Sequence, residues 1–75
     1  MNTLNFWKNL MTPSEFEAIR IKMGQSRYGL GRALGLISQN PQETIGRWER
    51  GDDPISGPVA LCMRYMAKYG VMEAT

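Results

Sequence analysis

The sequence predicts an all-α protein, and three observations support this fold class. Apolar residues recur at three- and four-residue spacing in several segments, which is the period of an amphipathic helix. These segments open with capping residues, and most of them end at a glycine. No stretch shows the alternation of apolar and polar residues that marks a half-buried strand. We therefore expect a compact domain of four to five helices.

The first predicted helix covers about residues 13 to 23. Thr12 can act as its N-cap, Pro13 takes the first helical position and Glu15 completes a capping box. Its apolar stripe is formed by Phe16, Ile19 and Met23. The glycine that follows this stripe is a typical helix stop.

The second predicted helix begins after Ser26 and ends at Gly35. Its apolar side consists of Leu30, Ala33 and Leu34. Gly29 and Gly31 lie inside it, and each costs about 1 kcal/mol relative to alanine. A glycine inside a helix often allows another backbone to approach closely, and we expect this at Gly31. At Gly29 a weak helix without such a contact explains the residue equally well.

The third predicted helix begins at Pro41, after Asn40 as its cap, and ends at Gly51. Ile45 and Trp48 form its inward side. Its outward side is polar and consists of Gln42, Glu43, Gly46 and Arg47, with Thr44 at the flank. Helical periodicity alone gives this polar face no structural role.

The fourth predicted helix runs from about Pro58 to Tyr69. Its apolar stripe is predicted to be Val59, Cys62, Met66 and Tyr69. We therefore expect Cys62 to be a buried small hydrophobe. Ile55, in the turn-rich connection before this helix, is expected to fill part of the core.

The composition argues against several classes of function. The chain has 75 residues, one cysteine and no histidine. Such a chain has neither an intramolecular disulfide nor the usual ligands of a zinc site, and it lacks most nucleophile–base pairs. We expect no enzyme activity, no metal or other cofactor and no small-molecule ligand. A lone thiol, without a secretory signal or a membrane-spanning run, indicates a cytoplasmic protein.

A small-residue helix, a glycine turn and a polar-faced helix follow one another in the central part of the chain. The matching residues of the first helix and its turn are Leu30, Gly31, Leu34, Gly35 and Leu36. The next helix adds Ile45 and Trp48 and ends in RWERG, and PISGPVALCMRYM follows. Over about residues 12 to 67 this order resembles the Cro/repressor type of helix-turn-helix, with a lambda-repressor-like fold. The segment 36–40 is longer than in the compact motif, which makes it a loop.

The resemblance implies that the third helix is a recognition helix that enters the major groove. The implied base contacts are Gln42, Glu43 and Arg47. Glutamine and arginine suit bidentate contacts with adenine and guanine, and glutamate can accept from the cytosine amino group. Glu43 has a second interpretation, in which it closes a capping box with Asn40. Gly46 would let the helix backbone lie close to the floor of the groove.

The resemblance also implies a structural ion pair and contacts with the DNA backbone. Arg20 and Glu49 occupy positions at which this family joins the first and third helices by a partly buried ion pair. Arg27 matches a position that contacts phosphate. The predicted backbone contacts are Ser26, Arg27, Ser38, Gln39, Asn40, Thr44 and Arg50. Arg32 is as well explained as a plain surface residue.

We expect a homodimer, because one recognition helix reads only a few base pairs and two-fold dimers bind half-sites one helical turn apart. The chain divides into an apolar N-terminal segment, 1–11, a helix-turn-helix domain, 12–69, and a tail, 70–75. The N-terminal segment is a lid on the core, a dimer arm or disordered. Predicted interface residues are Phe6, Trp7, Leu61 and Tyr65, with Met63 as a further candidate.

These expectations together predict a sequence-specific transcriptional regulator that binds double-stranded DNA. The leading interpretation is a dimeric repressor, from a phage or prophage or as a small bacterial autoregulator, that reads an inverted-repeat operator. The alternative is an antitoxin-like interaction protein that binds a partner protein as well as DNA. In that case the apolar N-terminal segment would hold the partner. Both interpretations place the protein on cytoplasmic DNA and not at a membrane.

Overall fold

The computed structural model describes residues 11–70, which contain four α-helices and no strand. Helix α1 is Pro13–Lys22, α2 is Arg27–Ala33, α3 is Pro41–Arg50 and α4 is Gly57–Tyr69. The all-α prediction is therefore confirmed, and the helix bounds lie close to those expected from the sequence. The predicted interface residues Phe6 and Trp7, with the rest of residues 1–10 and 71–75, lie outside the described residues.

Side-chain caps begin α1, α2 and α4. The Thr12 hydroxyl accepts from the Glu15 backbone N–H at 3.1 Å, and the Glu15 carboxylate accepts from the Thr12 N–H at 3.2 Å. This is the capping box predicted for α1. Ser26 caps α2 by accepting from the Gly29 N–H at 2.9 Å, and Ser56 caps α4 in the same manner. A cap of this kind contributes about 1 kcal/mol to helix stability.

The capping box predicted between Asn40 and Glu43 is wrong. The Asn40 side chain makes no cap hydrogen bond to α3, although its residue precedes the helix. Its ψ is 64°, whereas the capping residues of the other helices are extended, with ψ between 157° and 164°. The Asn40 side chain is therefore not directed over the first N–H groups of α3. Glu43 donates only its backbone N–H, to the Asn40 carbonyl at 3.1 Å, and is exposed.

Each helix contributes at least one fully buried large side chain to a shared core. These side chains are Phe16, Leu30, Ile45 and Met63. The Trp48 ring packs edge-on against Phe16, with ring centroids 5.7 Å apart, and Ile55 packs partly buried against the same cluster. Met11 is also buried in this core, although the sequence places it in the N-terminal segment. The helices are thus held by one apolar cluster.

Helix α4 turns a different face to the core than the sequence predicts. Ala60, Met63 and Met66 are buried, whereas Cys62 and Tyr69 are exposed. The predicted stripe and the buried stripe share Met66. Their other members are shifted by one position along the chain, which is a rotation of about 100° around the helix axis. Both are apolar, so the helical period alone did not distinguish them. No helix within residues 11–70 has the length and apolar character needed to cross a bilayer.

Helices α2 and α3 approach each other most closely at Gly31, as expected. A Cβ atom added to Gly31 would lie 2.5 Å from the Cβ of Pro41 and 3.3 Å from its carbonyl carbon. Because carbon atoms pack at about 3.5–4.0 Å, a larger residue at this position would push the two helices apart. The contact therefore fixes the start of α3 against α2. A Cβ at Gly29 would lie 3.0 Å from the Gln25 Oε1 and 3.1 Å from the Ser26 hydroxyl, so two side chains but no backbone would have to move.

Candidate nucleic-acid interface

Helix α3 has one face in the core and another that carries charged residues to the surface. Ile45 is fully buried, and Trp48 packs partly buried beside it. Glu43, Arg47 and Arg50 are exposed along the rest of the helix. Of the four residues predicted to form the polar face, Glu43 and Arg47 are therefore exposed, whereas Gln42 is half-buried and Gly46 is buried.

An ion pair joins α3 to α1. The Arg20 Nε donates to the Glu49 Oε2 at 2.5 Å, and the Arg20 Nη2 donates to Oε1 at 3.3 Å. The side chains of Arg20 and Glu49 are only 13% and 1% exposed. A further N–H of Arg20 donates to the Gln25 carbonyl at 3.1 Å, which ties the pair to the chain just before α2. The contact expected from the family resemblance is thus found, with a backbone partner that the sequence did not indicate.

Arg27 is the third member of this cluster. Its Nε donates to the Glu49 Oε1 at 2.9 Å, and its Nη2 lies 3.9 Å from the Glu17 Oε2. Burial by itself raises the pKa of Glu49, but the hydrogen bonds and charges of Arg20 and Arg27 outweigh it and lower that pKa below its usual value. The Arg27 side chain is half exposed, so it bridges the buried carboxylate and the protein surface.

Arg47 lies on the exposed face of α3 and contacts two neighbours. Its Nε donates to the Asp53 Oδ2 at 2.8 Å, and its Nη2 lies 3.4 Å from the Thr44 hydroxyl. Asp53 reaches Arg47 because Gly51, with φ 78°, turns the chain back at the end of the helix. The Arg47 carbonyl then accepts from the backbone N–H groups of Asp52 at 2.9 Å and Asp53 at 3.4 Å. A compact turn therefore carries an acidic side chain back to the predicted base-contacting arginine.

Arg50 forms a second arginine–aspartate pair on the same turn. Its Nε donates to the Asp52 Oδ2 at 2.9 Å. The Arg50 side chain also lies over Gly46, where an added Cβ would be 3.0 Å from its Nη1. Gly46 is buried, so the prediction that it faces outward is wrong. The helical spacing is correct, but the long side chain one turn later covers the glycine.

The remaining predicted contacts lie at the start of α3 and in the loop before it. Ser38, Gln39 and Asn40 are exposed, and the Ser38 hydroxyl accepts from the Asn40 N–H at 2.9 Å. The Gln42 Nε2 lies 3.4 Å from the Asn40 Oδ1. Among residues 11–70, the Gln42 Oε1 is buried without a hydrogen-bond partner. The Gln42 amide is therefore folded back toward the loop, away from the exposed face that carries Arg47.

Helix α4 exposes several large apolar side chains. Leu61 and Tyr65 are 61% and 52% exposed, whereas Met63, the further interface candidate, is fully buried. The Tyr65 and Tyr69 rings lie 4.8 Å apart. A hollow of about 190 Å³ beside them is lined by Ala33, Leu34, Cys62, Tyr65 and Met66. Leu61 and Tyr65 are thus available for a protein contact, and Met63 is not.

Sequence reasoning missed the two aspartates that follow α3. Asp52 and Asp53 lie in the connection between α3 and α4, and they pair with Arg50 and Arg47. The available signal was the order of residues: a glycine that ends a helix is followed by acidic residues within reach of its last-turn arginines. Arg64 of α4, which contacts Glu15 at 3.6 Å, was likewise not predicted.

Comparisons with known proteins give no relative for this arrangement. No protein-family model matches the chain, and no curated protein or solved structure matches it significantly. The resemblance to the Cro/repressor family therefore stays a prediction. Within residues 11–70, no group of three or more histidine, cysteine, aspartate or glutamate residues is arranged to hold a metal ion. The functional argument depends on α3 and its surroundings.

Proposed function

We propose that this protein is a sequence-specific DNA-binding transcriptional regulator. In this proposal α2 and α3 form a lambda-repressor-like helix-turn-helix, and α3 enters the major groove. The observation that carries the proposal is that α3 is packed into the domain on one side and exposes arginine on the other. One side of the helix is held by Ile45, by Glu49 and by the contact of Pro41 with Gly31, while Arg47 stands on the other side.

The chemistry of the exposed residues supports this role. The major groove admits one α-helix, and arginine and glutamate recognise guanine and cytosine there. Arg47 and Glu43 are exposed on α3 and supply these two side chains. Gln42 would read adenine after its amide rotates outward. That rotation is favourable for Oε1, because a buried acceptor without a hydrogen bond costs about 1–3 kcal/mol.

Backbone contacts would come from residues around the same surface. Arg50 lies at the end of α3, and Arg27 lies at the N-terminus of α2. Both side chains are about half exposed or more, so both can turn N–H groups toward phosphates. Each of them is also paired with a carboxylate, which would have to share the arginine with a phosphate. We therefore expect moderate affinity that falls steeply with salt.

A homodimer completes the proposal. Two copies would pair through the apolar α4 surface around Leu61 and Tyr65, and each would place one α3 in a half-site. The regulator would then bind an inverted repeat and repress by occupying a promoter. The same apolar surface favours the alternative of an antitoxin-like protein, in which a different protein covers Leu61 and Tyr65.

Selection of bound sequences from a random duplex pool tests the proposal directly. The full chain is used at about physiological salt, because DNA specificity depends on ionic strength. Enrichment of an inverted repeat, with half-site centres about 34 Å apart, supports a dimeric operator-binding protein. A folded, monodisperse protein that enriches no sequence would refute DNA recognition and favour the protein-binding alternative. The control variant is Arg32→Ala on α2. It removes one positive charge, as Arg47→Ala would, but from a residue that is not a predicted base contact, so the selected sequence should stay unchanged.

A further inference from the structure

We infer that Asp53 is a positioning residue that sets Arg47 for contact with a guanine. The inference rests on the proposed function, since it assigns a specificity role within the same interface. It starts from the hydrogen bond between the Arg47 Nε and the Asp53 Oδ2, at 2.8 Å, and from the Thr44 hydroxyl 3.4 Å from Nη2. These two contacts restrain one edge of the guanidinium group.

The donors that remain on Arg47 fit a guanine. A guanidinium group has five N–H donors in a fixed plane. Asp53 takes the Nε–H and Thr44 takes one N–H of Nη2, so the two N–H groups of Nη1 and one of Nη2 are left. The guanine edge in the major groove offers two acceptors, O6 and N7. The restrained arginine therefore keeps enough donors for a bidentate contact while it loses rotational freedom.

The position of Asp53 is set by the backbone. Gly51, with φ 78°, reverses the chain after α3. The N–H groups of Asp52 and Asp53 then bond to the Arg47 carbonyl, so the carboxylate is attached to the same helical turn as the arginine that it contacts. Both side chains are nearly half exposed, and exposed ion pairs add little to stability. The pair therefore matters more for the direction of the Arg47 side chain than for the fold.

A second effect of Asp53 must be separated from positioning. Its negative charge repels DNA phosphates, so its removal raises affinity for every sequence. Asp52 supplies the matched control, because it carries the same charge on the same turn and contacts Arg50 in the same manner, at 2.9 Å. Arg50 is a candidate for phosphate contact and not for base contact. Charge repulsion predicts the same outcome at both positions, whereas positioning affects specificity only at Asp53.

The test compares Asp53→Ala, Asp53→Asn and Asp52→Ala with the unmodified chain. Affinity is measured for the selected operator and for an operator in which the guanine read by Arg47 is replaced by adenine. We expect Asp53→Ala to lower the guanine preference on the order of fivefold to tenfold, part of what a bidentate pair supplies. Asp53→Asn keeps the shape but not the charge, and we expect an intermediate loss. Asp52→Ala should raise both affinities and leave their ratio unchanged.

A double-mutant cycle completes the test. In an Arg47→Ala background, Asp53→Ala should have no further effect on the guanine preference. Equal gains in affinity for both operators, with an unchanged ratio in Asp53→Ala, would overturn the positioning role and leave Asp53 as a repelling charge. An unmodified chain that prefers no sequence would instead overturn the proposed function, which distinguishes the two failures. Circular dichroism of each variant shows whether the helices are retained.

Discussion

Replacement of Glu49 by glutamine tests the cluster that holds α3 against the rest of the domain. The carboxylate is 1% exposed and accepts from Arg20 and Arg27. Breaking a buried pair by removal of one partner costs about 3–5 kcal/mol. Arg20 is 13% exposed and keeps its bond to the Gln25 carbonyl, and the new amide still offers one acceptor, so we expect a loss of about 2–3 kcal/mol.

This loss is large for so small a domain. At about 0.05–0.15 kcal/mol per residue, a chain of 75 residues has roughly 4–11 kcal/mol of stability in total. A change of 2–3 kcal/mol corresponds to a fall in Tm on the order of 10–20 °C for a domain of this size. Urea titrations followed by circular dichroism measure the free energy of unfolding directly. The matched control is Glu17→Gln, because Glu17 contacts Arg27 only at 3.9 Å and is exposed; it should change stability by less than about 0.5 kcal/mol.

The pH dependence gives the experiment a second readout. The pKa of Glu49 is lowered in the folded state, because the two arginines outweigh the effect of burial. Its contribution is therefore complete above the unfolded-state pKa of glutamate, about 4.3, and is lost as the pH falls through the lower folded-state value. The gap in stability between the unmodified chain and Glu49→Gln should narrow over that range. A gap that stays constant down to about pH 3, or a loss no larger than that of Glu17→Gln, would refute the reasoning.

Three further outcomes are expected. Gly31→Ala should destabilise the domain by about 1–3 kcal/mol in a urea titration, because its Cβ would overlap Pro41. Gly29→Ala should cost less, because only the Gln25 and Ser26 side chains would have to move and alanine favours the helix by about 1 kcal/mol; equal effects would contradict the packing argument. The exposed Cys62 should react with an alkylating reagent in the native monomer as fast as in urea; strong protection in the monomer would contradict its exposure. Arg47→Ala should weaken operator binding by about 1–3 kcal/mol and relax one base position; an unchanged preference would remove Arg47 from the readout.

The helices could be predicted because their signals are local. Thr12, Ser26 and Pro41 mark helix starts through their own backbone preferences and short-range hydrogen bonds. Gly31 could be predicted as a site of close approach because a glycine inside a helix has an energetic cost that needs compensation. These features depend on neighbours within a few residues or on one simple steric rule. They can therefore be predicted without knowledge of the tertiary structure.

The buried face of α4 could not be predicted for a different reason. Cys62 and Met63 are adjacent and both apolar, so each of two overlapping stripes satisfies the helical period. The choice between them depends on how α4 packs against the other members of the core cluster, which is a property of the assembled core. Hydrophobic pattern alone does not contain that information.

The pairing of the surface arginines could not be predicted either. An arginine can pair with a phosphate, a guanine or a carboxylate, and the residue type alone does not show which of the three it contacts. Arg27 was expected at a phosphate and lies against Glu49, while Arg47 was expected at a base and contacts Asp53. These contacts arise from the spacing of helices and from the left-handed turn at Gly51. Sequence reasoning therefore found the arginines around α3 and the pair of Arg20 with Glu49, but not the carboxylates that contact Arg27, Arg47 and Arg50.

The core, to which all four helices supply fully buried side chains, limits how the domain can be divided. Helix α2 has only seven residues, far below the length at which an isolated helix is stable in water. It exists because Leu30 enters the shared core and Gly31 lies against α3. A peptide that carries only α2 and α3 would lack the Phe16 and Met63 side of that core and would not fold. The exposed face of α3 that we propose contacts DNA therefore depends on all four helices, and its residues must be altered within the whole domain.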